Sequence, residues 1–585
     1  MTDDFEDFDI RPGKVKNRTT SGRRAHSFVS LVMRAASQAG FGSAARTRSI
    51  SQRPSTFGRG RGAALRTSLR SPSRRVVIKT RIVRQAGKGF AGAPLARHIT
   101  YLEREGVTRD GHDAAMFDAK RDDADVQGFA TRCAGDRHHF RFMVSPEDAA
   151  QMEDLKAFTR ELMSDMANDL GTALDWVAVD HWNTDNPHIH ILLRGRDDKG
   201  HNLVIARDYV AHGLRGRAEE RVSLELGPRS EREISADLSR QVEADRWTGL
   251  DRTLGQLGDE ISGIIDLRPG GNALDPELNR ALIGRSMKLE GMGLATPHGP
   301  ARWSFVPEFE ETLRDLSIRG DIIKTMHRAM SRGPSAPDVS RFAIDASDDA
   351  ENPVLGRLVA RGLHDELRGN AYAIVDGVDG RTHYLTFDTL ELTSDANTGA
   401  VVELRNWEND KGYVNRTLSV RSDLSLAQQV GSRGATWLDR QLIAADRGNL
   451  SEGGFGGEVS KAMDARTETL VEAGLAKRKG QQIIFARNLL DTLKARDLDA
   501  AIDRISQDTG LTHRPTDTGN YVAGTYTKRL TLASGRFAMI SDGVGFELVP
   551  WRPALEQKLG LQVSGTMMPG RGVDWSFGKD RGLGL

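Results

Sequence analysis

The sequence predicts a mixed α+β protein: an N-terminal antiparallel sheet with covering helices, followed by winged-helix-like and small β modules. Three observations predict it. Between residues 75 and 250, stretches of period-2 hydrophobicity interchange with stretches of helical period. Two of the strands are joined by only a short polar link, which makes them antiparallel neighbours. In the C-terminal half a helix–turn–strand–helix pattern occurs twice. At 585 residues the chain exceeds one core. The expected order is a basic arm (1–74), an α+β domain (75–250), a winged-helix-like unit (251–340), a small β module (341–420), a second winged-helix-like unit (421–510) and a second β module with a tail (511–585).

The elements follow in order. Arg75–Arg84 alternates as a strand, and Ala91–Glu105 reads as a helix with Leu95, Ile99 and Leu102 on one stripe. A second strand over 138–144 places Phe140, Phe142 and Val144 on one face. Ser145-Pro146-Glu147-Asp148 has the composition of a helix start, with Ser145 as the cap. The helix after it carries Met152, Leu155, Phe158, Leu162, Met166 and Leu170 and ends at Gly171. Asp175–Trp182 and His188–Arg194 are the third and fourth strands, linked by Asn183–Pro187. Further on, Leu289-Glu-Gly-Met-Gly-Leu-Ala295 is echoed by Leu470-Val-Glu-Ala-Gly-Leu-Ala476, each followed by a turn, an apolar strand and a helix. Tyr372-Ala-Ile-Val-Asp-Gly377 and Phe537-Ala-Met-Ile-Ser-Asp-Gly543 share a pattern in the strand-rich stretches that follow.

The net charge of +1 conceals an asymmetry: residues 11–85 hold 19 Lys and Arg and no Asp or Glu. Such a segment cannot bury enough apolar surface to fold alone and reads as a disordered arm, suited to lying on phosphates or simply solvated. Its Arg- and Ser-rich composition also fits a transit peptide. Cys133 is the sole cysteine, which excludes a disulfide framework and a cysteine metal site, and it reads as inert. No apolar run is long enough for a membrane span, and the acidic first residues lack a signal core, so a cytoplasmic protein without membrane insertion is expected.

His181-Trp-Asn-Thr-Asp-Asn-Pro-His188-Ile-His190 is the strongest chemical signal. Side chains alternate along a strand, so His188 and His190 share a face, and the hairpin brings His181 beside them. Three imidazoles at this spacing suit a divalent ion with positions left open for substrate oxygens. By chemistry alone, imidazoles suit zinc, nickel or iron.

The pattern His-x6-His-x-His after a strand resembles the third motif of the HUH endonucleases, in particular the mobilisation relaxases of the VirD2-like kind. His98-Ile-Thr-Tyr101-Leu-Glu-Arg-Glu-Gly106 resembles their first motif, and Phe140-Arg-Phe-Met-Val-Ser145-Pro146 their second, in the same order. The resemblance covers about residues 75–235. It implies a conjugative relaxase in which Tyr101 is the nucleophile and His181, His188 and His190 hold magnesium or manganese. Such an enzyme nicks single-stranded DNA at an origin of transfer, stays on the 5′ end and later religates by strand transfer. Implied partners are flanking duplex DNA, a type IV secretion coupling protein and accessory transfer proteins, with export alongside the transferred strand.

A tyrosine hydroxyl titrates near 10, so the phenol needs a base or an activated phosphate. Asp185, His98 and His139 are the candidates for a supporting or basic role, and Arg215, Arg217, Arg221 and Arg229 for DNA contacts; His138 reads as structural. Two departures from the family stand out. Asn183 occupies the place where many relatives have Asp, and the C-terminus lacks an Arg-rich export tail. The rival readings are a rolling-circle replication initiator with the same chemistry and a DNA-binding regulator with a structural metal.

Overall fold

The structure, a computed structural model, describes residues 72–576 apart from 85–94, 96–97, 101, 104–107, 110–111, 113, 183–185, 258–262, 269–274, 332–336, 345–352, 366, 409–413, 445–449, 481 and 570–571. Tyr101, Asn183, Asp185 and nearly all of the basic arm lie outside the described residues. The chain is mixed α+β with several sheets. It divides into two units, Met1–Arg314 and Asp315–Leu585.

The first unit opens with a four-stranded antiparallel sheet made of β1 (Val76–Arg84), β2 (His138–Pro146), β3 (Trp176–His181) and β4 (His188–Arg194), in the order β1-β2-β4-β3. Its register sets Ile82 opposite Phe140 and Phe142 opposite Ile191. Phe140, Phe142, Val144, Ile189, Ile191 and Leu193 therefore share one face, the apolar core, with helices α2 (Leu155–Leu170) and α3 (Leu214–Leu226). The other face carries His139, Arg141, His181, His188 and His190. Leu95, Ile99 and Leu102 are buried in a helical segment, and α1 (Val126–Cys133) packs against β3.

Two local expectations change. Ser145 and Pro146 do not start a helix: β2 continues through both, pairing Ser145 with Val77 and Pro146 with Val76. A turn follows, and α2 starts after Asp154, whose carboxylate accepts from the N–H groups of Lys156 and Ala157. Gly171 ends α2 with φ of 65°, as its sequence position predicts. The packed domain also begins before residue 75. The Arg74 guanidinium is buried against Glu233 and Asp148, and its backbone N–H donates to Ser223 Oγ at 3.0 Å.

The rest of the first unit contains α4 (Glu231–Glu243), α5 (Gly249–Leu257), β5 (Ile264–Asp266), α6 (Pro276–Gly291), β6 (Ala295–Pro297) and β7 (Arg302–Phe305), and the helix α7 (Phe309–Met330) begins there. Ile234 and Leu238 of α4 join Leu250, Leu282, Leu289 and Trp303 in one core, so no core boundary falls at residue 250.

The second unit holds two six-stranded sheets. The first comprises β8 (Phe342–Ile344), β9 (Leu355–Asp365), β10 (Asn370–Gly377), β11 (Thr382–Phe387), β12 (Val401–Glu408) and β13 (Val414–Ser422) in the order β13-β12-β9-β10-β11-β8. Between the sheets in sequence come α8 (Leu426–Val430), α9 (Trp437–Ile443), α10 (Gly454–Glu472), the hairpin β14 (Ala476–Lys479) and β15 (Gln482–Phe485), and α11 (Leu489–Thr509). The second sheet is β16 (Thr512–His513), β17 (Tyr521–Leu532), β18 (Gly535–Ser541), β19 (Gly545–Pro550), β20 (Gln562–Met568) and β21 (Gly572–Ser576), in the order β21-β20-β17-β18-β19-β16. Position by position the two sheets have the same strand order, including the parallel pairs β8–β11 and β16–β19.

The helix–hairpin segments repeat with the same fidelity. In the first, Thr248 caps α5 on Asp251, and Arg285 of α6 reaches Asp251 and the carbonyls of Val242, Ala244 and Arg246. In the second, Thr436 caps α9 on Asp439, and Arg466 of α10 reaches Asp439 and the carbonyls of Val430, Ser432 and Gly434.

Candidate metal centre

Strand pairing assembles the histidines. His181 ends β3 and stands directly opposite His188, the first residue of β4; His190 follows two residues later on the same side. All three are buried, at 2%, 7% and 3% exposure, and one ring nitrogen from each lies within 4.8 Å of the others. The Nε2 atoms of His188 and His190 are 3.1 Å apart.

Carbonyl oxygens only accept, and this fixes two tautomers. His188 Nδ1 lies 2.9 Å from the Asn186 carbonyl and must carry the proton there, so its lone pair sits on Nε2, toward His190. His181 Nε2 lies 3.0 Å from the Leu102 carbonyl and donates to it, which leaves the lone pair on Nδ1. A ring N–H given to a backbone carbonyl is the support that metal-binding imidazoles ordinarily have. Two nitrogens on one ion at about 2.1 Å stand roughly 3.0–3.4 Å apart, so the spacing of His188 and His190 fits a shared divalent ion. The donor set fits as well, because imidazole nitrogens are common ligands of divalent ions.

The His181–Leu102 bond also locates the helical segment expected to carry the nucleophile. Leu102 follows Tyr101 in sequence, and its carbonyl is tied to the histidine cluster, so the helical residues 98–100 and 102–103 are anchored beside the triad. The other tyrosine of this domain, Tyr209, has a different setting. It lies in a π-helical turn, packs against the apolar core on the opposite face and donates to Asp169 at 3.0 Å. Burial and the Asp169 charge push its phenol far above the ordinary tyrosine range.

The remaining candidates separate. His98 is buried on the helical segment that leads to Tyr101. His139 is buried on the histidine face, where Arg141 Nε donates to its Nε2 at 3.2 Å. Burial, helped by the Arg141 charge, holds its pKa down at about 3, so His139 is a neutral acceptor rather than a base poised near neutrality. His138 Nε2 lies 3.0 Å from the Leu203 carbonyl.

Three of the four arginines expected at DNA are ion-paired within the domain. Arg217 grips Asp169, Arg221 grips Asp165 and Glu161, and the buried Arg229 pairs with Asp237. Arg215 is exposed on α3. The sequence shows the charges on these helices but not their carboxylate partners. Conversely, Arg141 is a residue that the sequence reading misses, although its spacing of two from His139 puts it on the histidine face. Cys133 is fully buried, and desolvation, with the nearby Asp136 charge, pushes its thiol up to about 12.

Two family models match different parts of the chain. A family described as a protein of unknown function, DUF3363, matches residues 282–419 and 406–584, more than half of the chain. The chain belongs to the DUF3363 family. Residues 105–211 match the nuclease domain of MobA/VirD2-like relaxases, and His181, His188 and His190 all fall inside that match. This member of the family therefore carries a relaxase nuclease domain of the VirD2-like HUH type, a DNA-nicking module. No curated protein and no solved structure matches the chain. Among the described residues no helix is long and apolar enough to cross a membrane.

Proposed function

We propose that the chain is a conjugative relaxase that cuts single-stranded DNA at an origin of transfer by attack of Tyr101. The observation that carries this reading is the bond from His181 to the carbonyl of Leu102, which joins the histidine cluster to the residue beside the predicted nucleophile. His181, His188 and His190 would hold a divalent ion, magnesium or manganese by family resemblance. When bound, that ion withdraws charge from a phosphate oxygen and makes phosphorus more electrophilic.

The chain's own residues supply the rest. The Tyr101 phenolic oxygen forms a bond to phosphorus, the bond to the 3′ oxygen breaks, and the leaving 3′ oxygen takes up a proton as the phenol gives one away. The product is a 5′-phosphotyrosyl link with a free 3′-hydroxyl. That ester conserves the phosphodiester energy, so a 3′-hydroxyl attacking it later reseals the strand without ATP. His98 stands three residues before Tyr101 in the sequence, and Asp185 falls in the sequence between β3 and β4; both would serve as supports in this scheme. The basic arm would hold flanking duplex, and the two helix–hairpin units, winged-helix-like in layout, would bind duplex DNA or transfer proteins. The protein would act in the cytoplasm and leave with the transferred strand through a type IV secretion channel.

A denaturing gel tests the chemistry. Single-stranded origin DNA incubated with the protein and manganese yields a shifted, protease-sensitive adduct. Chelation, Tyr101→Phe or His190→Ala removes it. An adduct that persists in Tyr101→Phe would overturn the assignment.

A further inference from the structure

The histidine face continues beyond the triad, across β2 to the edge strand β1. Lys79 stands opposite Met143, which stands opposite His190; Arg81 stands opposite Arg141. Directly opposed residues of antiparallel strands share a face. Lys79, Arg81, Arg141 and His139 therefore stand on the side of His190, while Ile78, Phe142 and Val144 fill the core on the other. Lys79 is two strands from His190, roughly 10 Å at ordinary strand spacing.

These cations differ from those of α3. Lys79 and Arg81 are exposed, and among the described residues neither is ion-paired, whereas Arg217 and Arg221 are locked onto carboxylates. Arg141 is buried, at 7% exposure, and donates through Nε to His139 Nε2. That bond puts the proton of the neutral His139 on Nδ1, a buried donor with no hydrogen-bond partner among the described residues. Burial, with the nearby Arg81 charge, lowers Arg141 to about 10, so it is still a cation at neutral pH. An unsatisfied N–H beside a buried cation, on the same face as two exposed cations, is a donor set matched to an anion's oxygens.

We propose that Lys79, Arg81, Arg141 and His139 form a phosphate-binding shelf for single-stranded DNA, holding the backbone phosphates next to the one that reaches the histidines. The assignment rests on the nuclease reading above, and it adds the path by which the strand leaves the centre. A strand edge also carries Lys and Arg simply to block edge-to-edge pairing, and the test separates that role from phosphate binding.

Fluorescence anisotropy of the full chain with labelled oligo-dT, over a salt series, measures affinity and its salt dependence. Lys79→Gln with Arg81→Gln is expected to weaken binding about tenfold and to flatten the slope of log K against log salt by about 1.4, or 0.7 for each single-strand phosphate lost. Lys79→Glu with Arg81→Glu keeps a charged edge and is expected to bind more weakly still. The charge-conserving exchange Lys79→Arg with Arg81→Lys retains binding, and so does Lys120→Gln with Lys199→Gln elsewhere on the surface. Manganese binding at the histidines is unchanged in every variant. Wild-type affinity and slope in both the Gln and Glu pairs, or an equal loss in the Lys120/Lys199 control, would overturn the shelf while leaving the nuclease reading intact. Failure of the wild type itself to bind oligo-dT would remove both.

Discussion

The histidine face of the first unit and the buried guanidinium sites of the helix–hairpin segments both place polar groups beyond the reach of water, and they meet that cost in opposite ways. Arg285 and Arg466 are fully buried, and each turns its guanidinium onto an aspartate and three backbone carbonyls of its own unit. Nothing remains for a ligand, so these are structural clasps that pin α6 to the turn before α5, and α10 to the turn before α9. On the histidine face, by contrast, two imidazoles spend one nitrogen on a carbonyl and keep a lone pair on the other, within reach of a neighbouring ring. Burial alone does not mark function. Convergence of imidazole nitrogens is the distinguishing feature, because such a set could hold an ion, whereas the arginines are already satisfied by their own chain.

That contrast can be broken by measurement. The largest expected effect is at the clasps: Asp251→Ala or Asp439→Ala leaves a buried guanidinium uncompensated and should cost about 3–5 kcal/mol in denaturant unfolding. A loss below about 1 kcal/mol would mean that the clasps are not what holds those helices. Next comes the metal. Manganese at 100 times its Kd should stabilise the wild type by about 2.7 kcal/mol, and that gain should vanish in His190→Asn, while Asp439→Ala keeps it. Equal stabilisation of the wild type and His190→Asn would show that the ion binds elsewhere.

A smaller effect concerns pH. His139 is held near 3 when folded, by burial and by Arg141, against an ordinary value of 6.5. Its folded pKa is depressed, so the unfolded chain takes up a proton that the folded one refuses. Stability is therefore fully present above about 6.5 and is lost as pH falls toward 3. His139→Gln should reduce the acid-side slope of stability between pH 6 and 4 by up to about 1.4 kcal/mol per pH unit; an unchanged slope would place His139 outside the protein's acid sensitivity. The smallest effect is kinetic. The Cys133 thiol, pushed up to about 12 and buried, should react with a disulfide reagent only as fast as the domain opens. Rapid native-state labelling would contradict its burial.

Much of the site is legible in the sequence because strand alternation is a short-range property. The span His188–Arg194 and the pairing of His181 with His188 follow from one hairpin. Gly171 likewise announces its own left-handed cap. The start of α2 is not legible. Ser-Pro-Glu-Asp is a sound local signal, but β1 pairs with β2 as far as Pro146, and tertiary pairing outweighs a cap. The fates of Arg217 and Arg221 depend on acids more than 40 residues away, which no local pattern encodes, and Arg229 pairs with Asp237 of the helix that follows it. The clasps do leave a trace, Thr248-Gly-Leu-Asp251 against Thr436-Trp-Leu-Asp439, but an arginine within a helix reads as surface until its partners are seen.

Peptide mapping of the covalent adduct tests most directly whether the histidine cluster serves Tyr101. Protein incubated with single-stranded origin DNA and manganese is digested with trypsin, and the DNA-linked peptide is sequenced. DNA is expected on the peptide His98–Arg104, attached at Tyr101, with no adduct once His181, His188 or His190 is replaced. DNA on Tyr209 or on any residue outside that peptide would contradict it.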